Sequence, residues 1–357
     1  MKFVHIADLH LDSKFDNLGQ ISGLPQKRRI EQRNAVKEII EYVKENEIEV
    51  IFIAGDLYEQ NYIKKSSIDY INRLFKEIPE VKIFISPGNH DPYISNSFYA
   101  TYNWAENVHI FKDKIEKIDL GNIHIYGYGF TDFYCKESKI EEIKIEDKKE
   151  INILLTHASL DGGYDEMREY NPLSQSKLNK LGFDYIALGH IHKPYYNEEK
   201  NQTIFYPGSI ISLGFDELGK HGMIVGEITE NDLNIKFVQI DKREFEEKEL
   251  DITQLNSNED IITKLEELNL EKQNFYKIIL TGKRFFQLDI NEIKKVITIE
   301  NIIKIKDNTK TGIDIEELKN ENNIKGIFVR NMLEKQKKER LDQEFIEKAI
   351  EIGLEVL

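Results

Sequence analysis

The sequence contains a single cysteine, Cys135, so no internal disulfide can form, and the paired spacing of a thiolate zinc site or a redox motif is missing. That excludes a disulfide-stapled fold and fits a reducing, cytoplasmic setting. No base stands at a diagnostic spacing from Cys135, which reads as an inert position and not as a nucleophile. No apolar run approaches the roughly 18 residues of a membrane span, and Met1-Lys2 leads straight into FVHIAD without the apolar core of a leader. The expectation is a protein neither embedded in a membrane nor secreted. Basic charge is also short: the net charge is -15, which argues against coating nucleic acid by bulk electrostatics. If the chain acts on DNA, cations and local lysines must supply the attraction, and carboxylates that hold divalent ions would account for part of the negative charge.

At 357 residues the chain exceeds one ordinary core, since cores commonly stop growing near about 250–300 residues, and two domains are expected. An apolar fraction of 40% suffices to bury them, so the 32% of charged residues read as solvated surface.

The first half repeats one pattern, in which a short β-branched or aromatic run ends abruptly in a polar cluster. Residues 2–7 lead to Asp8, 50–54 to Gly55-Asp56, 81–86 to Gly88-Asn89-His90-Asp91, 151–155 to His157, and 185–188 to Gly189-His190. Near-continuous apolar runs of this length are buried strands. Ligands of open α/β sheets bind beyond the carboxyl ends of strands, so five polar clusters placed there can converge on one site. Ile30, Ala35, Val36, Ile39, Ile40 and Val43 predict a crossover helix over 28–44, and Tyr70, Ile71, Leu74 and Phe75 a second. Runs at 123–128, 203–206 and 223–228 read as strands of a second sheet in the same domain.

The expected catalytic domain therefore spans 1–240, followed by a small α+β domain over 241–330. The latter comprises a charged stretch at 242–251, helices at 259–269 and 291–298, and strands at 275–281 and 301–307. The tail, 331–357, reads as a long helix or helix pair beginning near Phe328, with an apolar stripe of Leu341, Phe345, Ala349 and Ile352. That stripe either packs on its own domain or docks a partner.

Each polar cluster alone is weak, because a lone histidine at a strand end is more often structural than a ligand. Their order, each after a strand, is what points to metal. Mn²⁺ accepts mixed oxygen and imidazole ligands, and a pair of ions needs one bridging carboxylate, for which Asp56 is the candidate. An extended backbone would project Asp8 with His10, and His190 with His192, to one side. Glycines at 55, 88 and 189 would let the chain pack closely beside the ions.

These clusters together resemble the signature of the calcineurin-like metallophosphoesterases, and within them the SbcD and YhaO nucleases. The resemblance covers most of residues 1–240, including Tyr206-Pro207-Gly208-Ser209 and Phe215-Asp216-Glu217. It implies an αββα sandwich of two mixed sheets flanked by helices, with the small α+β domain as a cap. It also implies two divalent ions, one held by Asp8, His10, Asp56 and His192, the other by Asp56, Asn89, His157 and His190. His90 would be the catalytic histidine at the scissile phosphate, with Asp91 orienting its ring. The function implied is a DNA exonuclease in repair, with endonuclease action also open, paired with an SbcC- or YhaN-type ATPase and compatible with a homodimer. A small-molecule phosphodiesterase or phosphatase of the same fold is the competing reading, and a non-catalytic scaffold a third. His5, His109, His124 and His221 read as structural or surface residues, Asp12 as a cap or support, and Phe98, Tyr99, Tyr102 and Trp104 as core rather than a base-stacking platform.

Overall fold

The apolar runs form the strands expected of them. The structure, a computed structural model, describes residues 1–18, 23–145, 147–161, 170–195, 202–312 and 315–356. In chain order the first part contains β1 (Lys2–Ile6), α1 (Leu24–Glu45), β2 (Val50–Ile53), α2 (Lys65–Lys76), β3 (Lys82–Ile85), α3 (Phe98–Thr101) and β4 (Val108–Ile110). It continues with β5 (Glu116–Leu120), β6 (Ile123–Tyr128), β7 (Ile151–His157), α4 (Gln175–Leu181), β8 (Tyr185–Gly189), β9 (Ile204–Phe205), β10 (Gly222–Ile228) and β11 (Leu233–Gln239). One sheet has the order β11-β10-β1-β2-β3-β4 and the other β5-β6-β7-β8-β9. Both are mixed: β1 to β4 run parallel while β10 is antiparallel to its neighbours β1 and β11, and β5 is antiparallel to the otherwise parallel second sheet.

The sheets pack face to face. Phe3, Phe52 and Phe84 from the first share one buried cluster with Ile125, Ile153, Leu155 and Tyr185 from the second. The outer face of the second sheet buries Tyr126, Ile186 and Leu188 against Leu178 of α4. On α1, Ala35, Val36, Ile39, Ile40 and Val43 are buried as expected, but Ile30 is exposed, and Arg28 and Gln32 take the inward positions. Arg28 can be buried because its guanidinium donates to Asp241 at 2.7 Å and to the Ser212 carbonyl at 2.9 Å. One expectation is corrected here. Residues 223–228 form β10, which pairs with β1 and completes the first sheet rather than joining the second, because antiparallel pairing lets a short return cover that edge.

Contacts divide the chain into two units, Met1–Glu246 and Glu247–Leu357. The charged stretch expected at 242–251 is largely a strand, β12 (Phe245–Asp251), whose alternating exposure suits charged side chains on one face. It lies beside β13 (Phe275–Thr281), which pairs in parallel with β15 (Ile302–Asp307). Helices α5 (Asn258–Glu266) and α6 (Ile290–Val296) contribute Ile261, Leu265 and Ile293 to the core under β13. A two-stranded ribbon joins β14 (Lys283–Arg284) to β16 (Lys310–Thr311), and α7 (Ile315–Leu318), α8 (Ile324–Glu339) and α9 (Gln343–Val356) follow.

The tail is thus a helix pair, broken at Arg340, whose φ of 52 ends α8 in the left-handed region. The inward stripe differs in part from the expected one: Ile346 and Ile350 are buried with Val329 and Leu341 packs beside them, while Phe345 and Ile352 are exposed. Ile350→Ala should therefore destabilise the second unit by about 2–5 kcal/mol. Phe345→Ala should leave its thermal midpoint essentially unchanged, and a scan of both variants against the parent chain reads the difference. Among the described residues no helix is long and apolar enough to cross a membrane.

Candidate metal centre

The five polar clusters meet at the ends of β1, β2, β3, β7 and β8, but not on extended backbone. Asp8 and His10 have φ of 51 and 47, Asp56 has 52 and His190 has 106. Left-handed conformations in non-glycine residues store strain and collect at functional sites, and Asp and His tolerate them better than most. The backbone is pinned in this shape: the Asp8 amide donates to the Gly55 carbonyl and the His10 amide to the Asp56 carbonyl, at 3.1 and 2.9 Å. From behind, the Gln32 amide on α1 donates to the carbonyls of Leu9 and His10. Close approach of the strands requires glycine. A Cβ at Gly55 would lie 2.4 Å from Nδ1 of His157, and one at Gly189 would lie 1.9 Å from the Ala54 carbonyl.

Asp8, His10, Asp56, Asn89 and His157 are all buried. Ligand-type atoms of Asp8, His10 and His192 lie within 4.8 Å of one another, as do those of Asp8, Asp56 and His157, and those of His10, Asp56 and His90. His190 is brought to the same place through its amide, which donates to both Asp8 oxygens at 3.1 Å, and its ring packs edge-on against His157.

The hydrogen bonds fix which ring nitrogens carry protons. The Ala54 carbonyl can only accept, so Nδ1 of His157 donates to it at 2.9 Å, leaving a lone pair on Nε2. That lone pair faces the Asn89 amide oxygen at 2.9 Å and Asp56 Oδ2 at 3.4 Å. Glu59 and Glu217, both held near about 2 by histidine hydrogen bonds that outweigh burial, are ionised acceptors. His10 Nδ1 donates to Glu59 at 2.8 Å and His192 Nδ1 to Glu217 at 2.6 Å. Their Nε2 atoms consequently point at each other, 3.1 Å apart. Facing lone pairs repel unless a proton or a cation lies among them. This donor set of imidazole nitrogen, carboxylate and amide oxygen fits divalent cations such as Mn²⁺, and the carboxylates behind His10 and His192 are the supporting partners that metal-binding imidazoles usually have.

Burial lowers His192, but Glu217 and Asp8 outweigh it and raise the ring to about 9. Burial would raise Asp56, yet the rings of His157, His90 and His10 hold its carboxyl below the usual range. Asp8 moves up, chiefly by burial. His190 is pushed down to about 3 by burial and the His157 ring, so it is a neutral donor at physiological pH.

His90 stands apart, with a side chain 46% exposed. The carboxylate beside its ring is Glu59, not Asp91: Nδ1 lies 3.0 Å from Glu59 Oε2. Asp91 is fully buried and accepts from the amides of Asp56, Leu57 and Gly88 and from the Tyr99 hydroxyl, so it organises the loop backbone. Burial and the Asp56 charge push Asp91 up to about 8. Burial lowers His90, but Glu59 and Asp56 raise it to about 9. Glu59 lies three residues after Asp56 and is the candidate site residue that sequence reading missed; its only signal was an acidic side chain near a candidate metal ligand.

The remaining histidines have structural partners. His5 bonds Tyr185, His109 bonds Glu116, His124 sits between Asp119 and Glu150, and His221 bonds Ser209 beneath Glu217. Asp12 ties the loop after β1 to α2, accepting from the Lys64 amide, Ser67 and Arg33. Tyr99 is buried with Tyr58, and Tyr102 and Trp104 pack on each other, so the aromatic group is internal packing. Burial pushes the Cys135 thiol up, away from thiolate.

Residues 1–194 match the model of the calcineurin-like phosphoesterases. The chain belongs to that family. Its members are metal-dependent phosphoesterases, and the donor set described above is what such a hydrolase needs. Among curated relatives, this phosphoesterase is 27% identical over 268 residues to the uncharacterized metallophosphoesterase YhaO of Bacillus subtilis, covering 71% of this chain and 64% of that protein. It is 26% identical over 370 residues to the SbcD component of the SbcCD nuclease of Staphylococcus epidermidis, covering 93% of each. Among solved structures, a dimetal phosphatase from Danio rerio is similar, at 9% identity and a TM-score of 0.44, over 67% of this chain and 96% of that one.

Proposed function

We propose that this phosphoesterase is a DNA nuclease, an exonuclease of repair that works with a partner ATPase. The observation that carries the hydrolase part is the convergence of imidazole nitrogens and carboxylate oxygens around Asp56. The nuclease part is supported by the similarity to the SbcD component of SbcCD, which runs through both units and not only the catalytic one.

In this reading Asp8, His10, Asp56 and His192 hold one divalent cation, and Asp56, Asn89, His157 and His190 the other, with Mn²⁺ the proposed metal. When bound, the ions supply Lewis-acid stabilisation of the charge that develops on the phosphoryl oxygens. The protein's own groups do the rest. Glu59 holds the His90 ring by Nδ1, so Nε2 is the atom presented to substrate. His90, protonated near neutral pH, binds a phosphate oxygen or gives its proton to the leaving oxygen. Asp91 acts through the backbone, locking residues 56–57 and 88 so that Asp56 and His90 keep their places. Residues 1–240 are the proposed catalytic domain, 241–330 the cap and 331–357 the docking segment for the ATPase, for which exposed Phe345 and Ile352 offer an apolar contact.

The test compares DNA oligonucleotides with bis-p-nitrophenyl phosphate in Mn²⁺. Cleavage of oligonucleotides at a kcat/KM far above that for the small diester is expected. Hydrolysis of the small diester with DNA left intact would favour a small-molecule phosphodiesterase.

A further inference from the structure

The second unit carries a basic cavity of about 630 Å³ that the metal centre does not explain. Lys283 and Lys310 enter it from β14 and β16, Lys325 from the first turn of α8 and Lys348 from α9. Among the described residues only Lys283 has a counter-ion there, Glu351 at 2.5 Å. Lys310, Lys325 and Lys348 make no ion pair among the described residues, although acidic side chains outnumber basic ones, 64 to 49. Lys283 and Lys310 are also direct register partners across the two-stranded ribbon. Like charges placed opposite each other on paired strands destabilise the pairing. Glu351 offsets one of these charges, and an anion between the lysines would offset the others.

We infer that this cavity binds the phosphate groups of a nucleotide or oligonucleotide. Its volume falls in the roughly 300–1,000 Å³ range of small-ligand sites. Lysine ammoniums are mobile point charges that suit phosphate, and the aliphatic side chains of Leu318 and Leu354 provide an apolar wall for a sugar or base. The site is distinct from the metal centre and does not depend on the nuclease reading, because binding needs no turnover.

The experiment uses the full chain in EDTA, with a labelled twelve-nucleotide oligo(dT) followed by anisotropy, and with ATP and a glutamate-rich peptide of matched charge as competitors. The variant is Lys310→Gln/Lys325→Gln/Lys348→Gln. It should bind at least tenfold more weakly, and its log–log salt slope should shrink by about 2, since each lost phosphate contact on a single strand removes about 0.7. The corresponding triple arginine variant should keep the affinity, which separates charge from folding. Displacement by ATP assigns the site to free nucleotides, and displacement by long oligonucleotides alone assigns it to a strand; either supports the inference. Equal affinity and slope in the glutamine variant would overturn it, as would displacement by the acidic peptide as readily as by ATP or oligonucleotide. Hydrolysis of bis-p-nitrophenyl phosphate should be unchanged in all these variants, so a failure of the nuclease reading would appear there and not in the binding curves.

Discussion

Asp56→Ala is expected to lower metal-dependent hydrolysis by about 10³-fold or more. The carboxylate lies between two imidazole donors, with Oδ2 3.7 Å from His10 Nε2 and 3.4 Å from His157 Nε2. It also belongs to two of the three groups of ligand-type atoms that converge here. Lewis-acid stabilisation is worth several kcal/mol, and each 1.36 kcal/mol is about tenfold in rate, so losing a shared ligand costs far more than a peripheral contact would. The substitution also removes the acceptor for the His90 amide, which donates to Asp56 Oδ1 at 2.8 Å. Asp56→Asn keeps an acceptor for that amide while losing the charge. It should be nearly as inactive as the alanine variant but melt closer to the parent. Steady-state assays on a phosphodiester, alongside thermal melts, read both outcomes, and an active Asp56→Ala protein would remove this residue from its proposed bridging role.

The second large effect belongs to His90. His90→Asn should reduce kcat by about 10² or more while metal content stays unchanged, because a positioned general acid typically contributes about 10²–10⁴-fold. The ring is partly exposed and anchored by Glu59 at one nitrogen only, as a group that meets substrate should be. Glu59→Gln gives the complementary result. It should lower kcat less than His90→Asn does and shift the pH profile, moving the limb set by loss of the His90 proton to lower pH, because the carboxylate that raises His90 is gone. It should also loosen metal binding, since Glu59 orients His10 as well. Loss of metal in His90→Asn would place that residue among the ligands instead.

The sequence made these residues findable because each follows an apolar run short enough to be a strand and ends it with a polar side chain. Strand ends could therefore be located before any pairing was known. Two mixed sheets were expected, but the sheet to which 223–228 belongs was hidden, since the run is equally apolar whichever sheet it joins, and only its antiparallel pairing with β1 decides. The backbone shape at Asp8 and His10 was hidden for a different reason. Alternation along an extended chain and two left-handed residues both bring the pair to one side, and the choice is made by amides donating to Gly55 and Asp56, residues far away in sequence. The resemblance implied that Asp91 orients His90, whereas its carboxylate turns inward to three backbone amides and Tyr99. Glu59, distant in sequence, folds back to take that position. In the tail the expected stripe holds in part: Leu341 packs with Ile346, Ile350 and Leu354 against Val329, while Phe345 and Ile352 face outward, a choice that only packing against α8 makes.

The central claim is that the Nε2 atoms of His10, His192 and His157 belong to a coordination shell centred on Asp56. Metal stoichiometry tests it most directly. After exhaustive chelation, titration of the full chain with Mn²⁺, followed by calorimetry and by mass-spectrometric metal analysis, should give two ions per chain for the parent and one or none for Asp56→Ala. Two ions retained by Asp56→Ala with unaltered affinity, or no binding by the parent chain, would contradict it.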